Sequence, residues 1–210
     1  MGYRVKELFL TLQGEGAQAG RAAVFCRFSG CNLWSGRAED RAAAVCTFCD
    51  TDFVGTDGEG GGEFGDATQL SEAIAAAWTG DGGTPYVIFT GGEPLLQLDA
   101  ALVDACHRAG LEVGVETNGT RLPPPGLDWI CVSPKAGAPL RLLEGDELKL
   151  VYPQAALLPD HLPAVRFTHL WVQPMDGPDL TENTTRAVQW CMAHPAWRLS
   201  LQTHKLIGIP

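Results

Sequence analysis

Six short runs rich in Val, Ile, Leu and aromatic residues constrain this chain more than any other feature. They occupy 22–28, 86–90, 111–116, 128–132, 147–151 and 168–172. Runs of this length bounded by Gly, Pro and Asn read as strands. Their recurrence with crossover-length segments between them predicts parallel pairing in an α/β sheet. Three segments read as the main helices. In 68–78 capping chemistry (T-Q-L-S-E) precedes an alanine-rich run, 95–109 is stopped by Gly110, and 182–193 is the third. The expected fold class is therefore α/β, a partial (β/α) barrel of about six parallel strands with a depleted helical layer. Tyr3–Leu12 and 197–201 are extra N- and C-terminal strand candidates, and 155–163 holds a short helical stretch. The run L-P-P-P-G at 122–126 cannot be helical, because prolines remove donors and clash with the preceding turn. Residues 55–66, glycine-rich and acidic, read as a surface loop. They lack the Lys-Ser/Thr ending of a phosphate cradle. No linker divides the chain, so 1–210 is expected to be one domain.

Composition narrows the partners. A formal net charge of −10 argues against a nucleic-acid backbone or an anionic membrane surface. No apolar run approaches the length of a membrane span, and the start of the chain lacks the apolar core of a signal peptide. A cytoplasmic location is the expectation. There, seven cysteines are not a disulfide framework.

Three of those cysteines, Cys31, Cys46 and Cys49, share one loop at 29–54, spaced C-x14-C-x2-C. A structural zinc site closes with four protein ligands. An iron–sulfur cube held by three thiolates leaves one iron open to an external ligand. Cys26, Cys106, Cys131 and Cys191 lack metal-like spacing and read as core. Five of the six strands run directly into polar or glycine-containing tails. These are the cysteine loop, T-G-G-E at 90–93, E-T-N at 116–118, S-P-K at 133–135 and Q-P-M-D at 173–176. C-terminal strand ends form the active face of barrel-like and open α/β folds. In the T-G-G-E-P segment, Gly91 and Gly92 let the backbone approach a ligand, and Glu93 could accept hydrogen bonds from an ammonium group. The same residues also suit a plain strand-to-helix turn with Pro94 in the first turn.

C-x14-C-x2-C after the first core strand, followed by G-G-E-P after the second, resembles the radical S-adenosylmethionine superfamily. Most members place three residues between the first two cysteines, so Asn32–Val45 is a departure. L-F-L-T-L-Q-G-E-G near the start, Arg27, C-D-T-D after Phe48, V-E-T-N-G, S-P-K and the ending L-Q-T-H-K-L-I-G-I-P resemble the 7-carboxy-7-deazaguanine synthase family. The resemblance runs from Glu7 to Pro210.

That resemblance implies a 4Fe–4S cluster on Cys31, Cys46 and Cys49, with S-adenosylmethionine at the open iron. It implies a lyase in queuosine biosynthesis: hydrogen abstraction from 6-carboxy-5,6,7,8-tetrahydropterin, then ring contraction with loss of ammonia. The protein supplies positioning and electrostatics while the cofactor carries the hard step. Phe48, Gly91, Gly92, Glu93, Asn118, Ser133, Lys135, Gln173, Pro174, Met175 and Asp176 match the family's S-adenosylmethionine pocket. Leu12, Gln13, Gly14, Thr90 and the terminal carboxylate of Pro210 match substrate contacts. Glu15 and Glu116 are apt acceptors for the guanidine-like N–H edge of a pterin, and Arg27 suits the substrate carboxylate. His204 is open between a substrate contact and a packing role. Thr51 matches a magnesium ligand, where a hydroxyl suits a hard cation. An electron donor such as flavodoxin and a homodimer are further implications. Two other readings stay open: an activase that installs a glycyl radical in a partner protein, and a non-catalytic iron–sulfur or zinc module.

Overall fold

The computed structural model of the chain describes residues 2–210. In chain order the elements are β1 (Tyr3–Leu12), β2 (Ala22–Phe28), β3 (Gly62–Phe64), α1 (Ala67–Ala77), β4 (Tyr86–Gly91), α2 (Ala100–Arg108), β5 (Glu112–Thr117), β6 (Trp129–Val132), β7 (Glu144–Tyr152), β8 (Arg166–Pro174), α3 (Leu180–Ala193), β9 (Arg198–Leu199) and α4 (Thr203–Ile207). These strands form one sheet in the order β3-β1-β2-β4-β5-β6-β7-β8-β9. The six expected core strands, β2, β4, β5, β6, β7 and β8, pair parallel throughout. β9 adds in parallel beyond β8, while β1 and β3 add antiparallel on the other side. The sheet keeps two edges, so the barrel is partial and its helical layer thin.

Some local expectations shift. The helix expected over 95–109 breaks into a 3-10 turn at Pro94–Leu96 and α2, because Asp99 caps a new start by accepting from the Leu102 N–H at 3.0 Å. The cap of α1 is Asp66, which accepts from the Gln69 N–H at 2.9 Å. Within the loop at 55–66, Gly62–Phe64 pairs with β1. The 155–163 stretch holds only a 3-10 turn, Pro159–His161. Thr203–Ile207, which the sequence does not announce, is helical.

Alternation along the strands sorts the two faces. Val24, Cys26, Phe28, Val87, Phe89, Val113 and Val115 point to one face. There Leu70 and Ile74 of α1 and Leu102, Val103 and Cys106 of α2 cover them in a single core. Phe28 and Phe89 stack at 5.6 Å. Each Val, Leu or Phe fully buried here contributes about 1.5–3 kcal/mol. α3 covers the far end of the sheet through Tyr152, Val172, Ala187 and Trp190. The intervening residues point to the opposite, inner face, and the parallel register aligns them in rows. Arg27 is beside Thr90, Glu116 beside Cys131 beside Glu147, and Val151 beside Gln173.

Candidate active site

The inner face opens at the C-terminal strand ends into a cavity of about 470 Å³. It is lined by tails from β2, β4, β5, β6 and β8, the turn after β1 and the C-terminal segment.

Cys46 and Cys49 line this cavity. Cys31 stands behind Gly92. A Cβ on Gly92 would lie 2.6 Å from the Cys31 Cβ and would strike the Gly30 carbonyl, so only glycine lets the two loops touch. The insertion Asn32–Val45 builds a scaffold for the thiols. Val45 N–H donates to the Leu33 carbonyl at 3.0 Å. The Arg41 guanidinium donates to the carbonyls of Thr47 and Cys49 at 2.9 and 3.0 Å, and it lies 3.9 Å over the Trp34 ring. Trp34 in turn meets Phe53 edge-on at 5.6 Å. Asn32 accepts from the Asn118 amide at 3.0 Å, tying the loop to the end of β5.

The donor set fits an iron–sulfur cluster. The neighbouring Cys46 thiol holds the Cys49 thiol down at about 6 against the opposing effect of burial, while Cys46 itself is pushed up. Burial raises Cys31. Among the described residues, no three His, Cys, Asp or Glu side chains gather tightly enough for a single ion. Three thiolates on one loop can each hold an iron of a multi-iron group and leave one iron to an external ligand.

Beside the thiols run Gly91, Gly92, Asn118, Ser133, Lys135, Gln173, Pro174, Met175, Asp176 and Phe48, all in the cavity wall. The Lys135 ammonium donates to the Ser133 carbonyl and hydroxyl, both at 2.7 Å, and its burial lowers its pKa. Glu93 is the exception. Its side chain is fully buried behind the wall, where the carboxylate accepts from Thr117 Oγ1 at 2.6 Å, Asn118 N–H at 2.8 Å and Leu95 N–H at 3.0 Å. The sequence offers Glu93 either as an acceptor for an ammonium group or as part of a strand-to-helix turn; here its carboxylate is held by one hydroxyl and two backbone N–H groups.

The cavity is also lined by Leu12, Gln13, Gly14, Glu15, Arg27, Thr90, Glu116, His204 and Pro210. Arg27 is steadied by Glu7 at 2.6 Å on the neighbouring strand. His204 packs its imidazole against Gly14 while still facing the cavity, and a Cβ at Gly14 would collide with the ring. Thr203 fastens this contact, donating its N–H and hydroxyl to the Gly14 carbonyl at 2.9 and 2.8 Å. Thr11 Oγ1 donates to a carboxylate oxygen of Pro210 at 3.0 Å. Thr51 also faces the cavity. Its neighbours Asp50 and Asp52 are paired with Lys205 and Lys6 at 2.5 and 2.9 Å.

Sequence reasoning missed Lys149, Glu147, Glu7, Gln202 and Lys205. Lys149 and Glu147 left a signal. In E-L-K-L-V the two charges alternate with leucines on a strand paired on both sides, so both must face something polar. Glu7 and Lys205 left none, because their partners are distant in sequence.

The Radical SAM superfamily model matches residues 41–143. The match begins after Cys31, as a lengthened gap between the first two cysteines would cause. A 7-carboxy-7-deazaguanine synthase from Bordetella pertussis is 66% identical over 210 residues, covering 100% of both chains. One from Bacteroides thetaiotaomicron is 43% identical over 207 residues, covering 98% of each. The crystal structure of QueE from Escherichia coli superposes with a TM-score of 0.68 at 25% identity, over 96% of this chain and 94% of that one. With that identity over its whole length, on a fold of the same kind, the chain belongs to the 7-carboxy-7-deazaguanine synthase family of radical S-adenosylmethionine enzymes.

Proposed function

We propose that the chain, as a single catalytic domain, converts 6-carboxy-5,6,7,8-tetrahydropterin to 7-carboxy-7-deazaguanine with loss of ammonia, a lyase step on the way to 7-deazapurines such as queuosine. What carries the reading is that one cavity joins Cys46 and Cys49 to Glu15, Glu116 and Arg27. When bound, the 4Fe–4S cluster and S-adenosylmethionine supply hydrogen-atom abstraction and its return. Everything else falls to the chain's own residues.

Cys31, Cys46 and Cys49 would hold the cluster. The backbone of Gly91 and Gly92, with Asn118, Ser133, Lys135 and the turn 173–176, offers donors and acceptors for the amino-acid end of S-adenosylmethionine, with Phe48 beside them. Glu93 acts from behind, fixing Asn118 and the turn at Pro94 rather than presenting a free carboxylate. Glu15 and Glu116 accept from the N–H edge of the pterin. Arg27 takes the substrate carboxylate while Glu7 sets its orientation. Leu12, Gln13, Gly14, Thr90, His204 and Pro210 complete the substrate wall. Thr51 offers a hydroxyl to magnesium, since both flanking aspartates are engaged by lysines. A flavodoxin-type electron donor, a homodimer and a cytoplasmic location belong to the same proposal.

The test is anaerobic reconstitution followed by incubation with S-adenosylmethionine, reductant, magnesium and 6-carboxytetrahydropterin. The expected results are about four irons per chain and formation of 7-carboxy-7-deazaguanine. One tightly held zinc and no cluster, or a cluster with no product, would overturn the assignment.

A further inference from the structure

Two carboxylates on the substrate wall share one buried cation. Lys149 Nζ lies 2.5 Å from Glu15 Oε2 and 3.1 Å from Glu116 Oε2, and its side chain is only 3% exposed. The remaining oxygens are treated alike. Gln202 donates its amide to Glu15 Oε1 at 2.9 Å, and Gln13 donates its amide to Glu116 Oε1 at 2.7 Å. Each carboxylate therefore takes one charged and one amide donor. An ionised carboxylate has about four acceptor positions, so roughly half of them stay free on a side chain that lines the cavity.

Without a cation between them, two neighbouring carboxylates cannot both stay ionised at low cost, and one would bind a proton. A protonated carboxyl offers an O–H where the pterin edge offers N–H, so donor would face donor. From these contacts we infer that Lys149 is a positioning residue for the substrate, keeping Glu15 and Glu116 together as a paired, acceptor-only reader of the guanidine-like edge. The role rests on the functional reading above and deepens it.

The surroundings agree. Burial opposes ionisation of Glu15, yet the Lys149 charge holds its carboxyl down at about 2. Burial likewise opposes the charge on Lys149, and the anionic groups around it raise its pKa well above the ordinary value. The other titratable groups facing this cluster are few. Glu147 lies on the same face of β7, where it accepts from the Ala17 N–H at 2.8 Å. The Cys131 thiol on β6 and the Tyr86 phenol on β4 are both pushed far up, chiefly by burial. Lys135 comes from the β6 tail, and His204 from α4. None of these other groups hydrogen-bonds to both Glu15 and Glu116.

The test uses reconstituted enzyme and three variants, Lys149→Met, Lys149→Arg and the double variant Lys149→Met with Glu15→Gln. In each, the KM for the pterin is followed from about pH 6 to 9, with S-adenosylmethionine binding and cluster absorbance as controls. Wild-type KM should be flat across this range. Lys149→Met should raise KM by about tenfold or more, and increasingly so toward acid pH, as one carboxylate takes up a proton. Lys149→Arg should return the flat profile. The double variant should bind weakly yet lose the acid-side rise, because Glu116 no longer has the Glu15 charge beside it. It thus gives an answer even if Lys149→Met fails to fold. An unchanged KM in Lys149→Met, or an acid-side rise that persists in the double variant, overturns the role of Lys149. A reconstituted wild type that makes no product overturns the functional reading instead.

Discussion

The Glu93 carboxylate and the Asn118 N–H meet at 2.8 Å inside the wall between β4 and β5, with no exposure to solvent on the glutamate. A buried carboxylate that accepts three hydrogen bonds is a strut. It sets the spacing of two strand-end tails that both reach the cavity.

Glu93→Gln should therefore act on stability first. The amide swaps one acceptor for a donor and faces a donor already in place, which costs about 1–3 kcal/mol. Thermal unfolding would register that loss, and binding of S-adenosylmethionine should weaken alongside it. An unchanged melting temperature with lost binding would mean the carboxylate meets the ligand directly.

Gly92→Ala should separate folding from cluster loading. The added methyl meets the Cys31 Cβ and the Gly30 carbonyl, and overpacking of this kind costs about 1–3 kcal/mol. Iron content after reconstitution should fall well below that of the wild type while the far-ultraviolet spectrum is retained. Full iron content in this variant would show that the cysteine loop can shift freely.

Acid should unfasten the Glu15 cluster. Its folded carboxyl titrates near 2, below the ordinary 4.5. The depressed value gives stability that is fully present above about 4.5 and is lost as pH falls toward 2, on the order of 3 kcal/mol in all. Unfolding of wild type and Glu15→Gln followed from neutral to acid pH should show a difference that shrinks across that window. A constant difference would place the contribution elsewhere.

Lys205 bridges Asp50 of the cysteine loop and Asp176 of the β8 tail, each at 2.5 Å, from a helix of five residues. It is 39% exposed, so Lys205→Ala should change global stability by only about 0.2–1 kcal/mol per pair. Hydrogen exchange across 203–207 should nonetheless accelerate, because so short a helix depends on its docking. Unaltered exchange there would leave Thr203 as the sufficient anchor.

These contacts show where sequence reading succeeds and where it stops. Glu116, Asn118 and Ser133 were legible because each ends a strand whose pattern was plain, and strand ends on one edge of a parallel sheet must converge. Lys149 was not assigned a role, although its strand was found. A charge on an inner face has meaning only once its partners are known, and Glu15 sits 134 positions away. Glu93 carried a recognisable motif but not its direction, since burial of its carboxylate depends on how β4 and β5 pair. α4 went unseen because five residues carry no period, and its helix exists through contacts with Gly14 and with the loops at Asp50 and Asp176.

The bond from Thr203 to the Gly14 carbonyl spans 189 positions, which sets an order of events during synthesis. Synthesis runs from the N-terminus, so the cysteine loop and the strands are made before Thr203. Until then the cavity lacks His204, Lys205 and Pro210 from its wall. The side of the cavity carried by His204 and Lys205 is thereby made of chain that is synthesised after the cysteine loop and the strands it closes on.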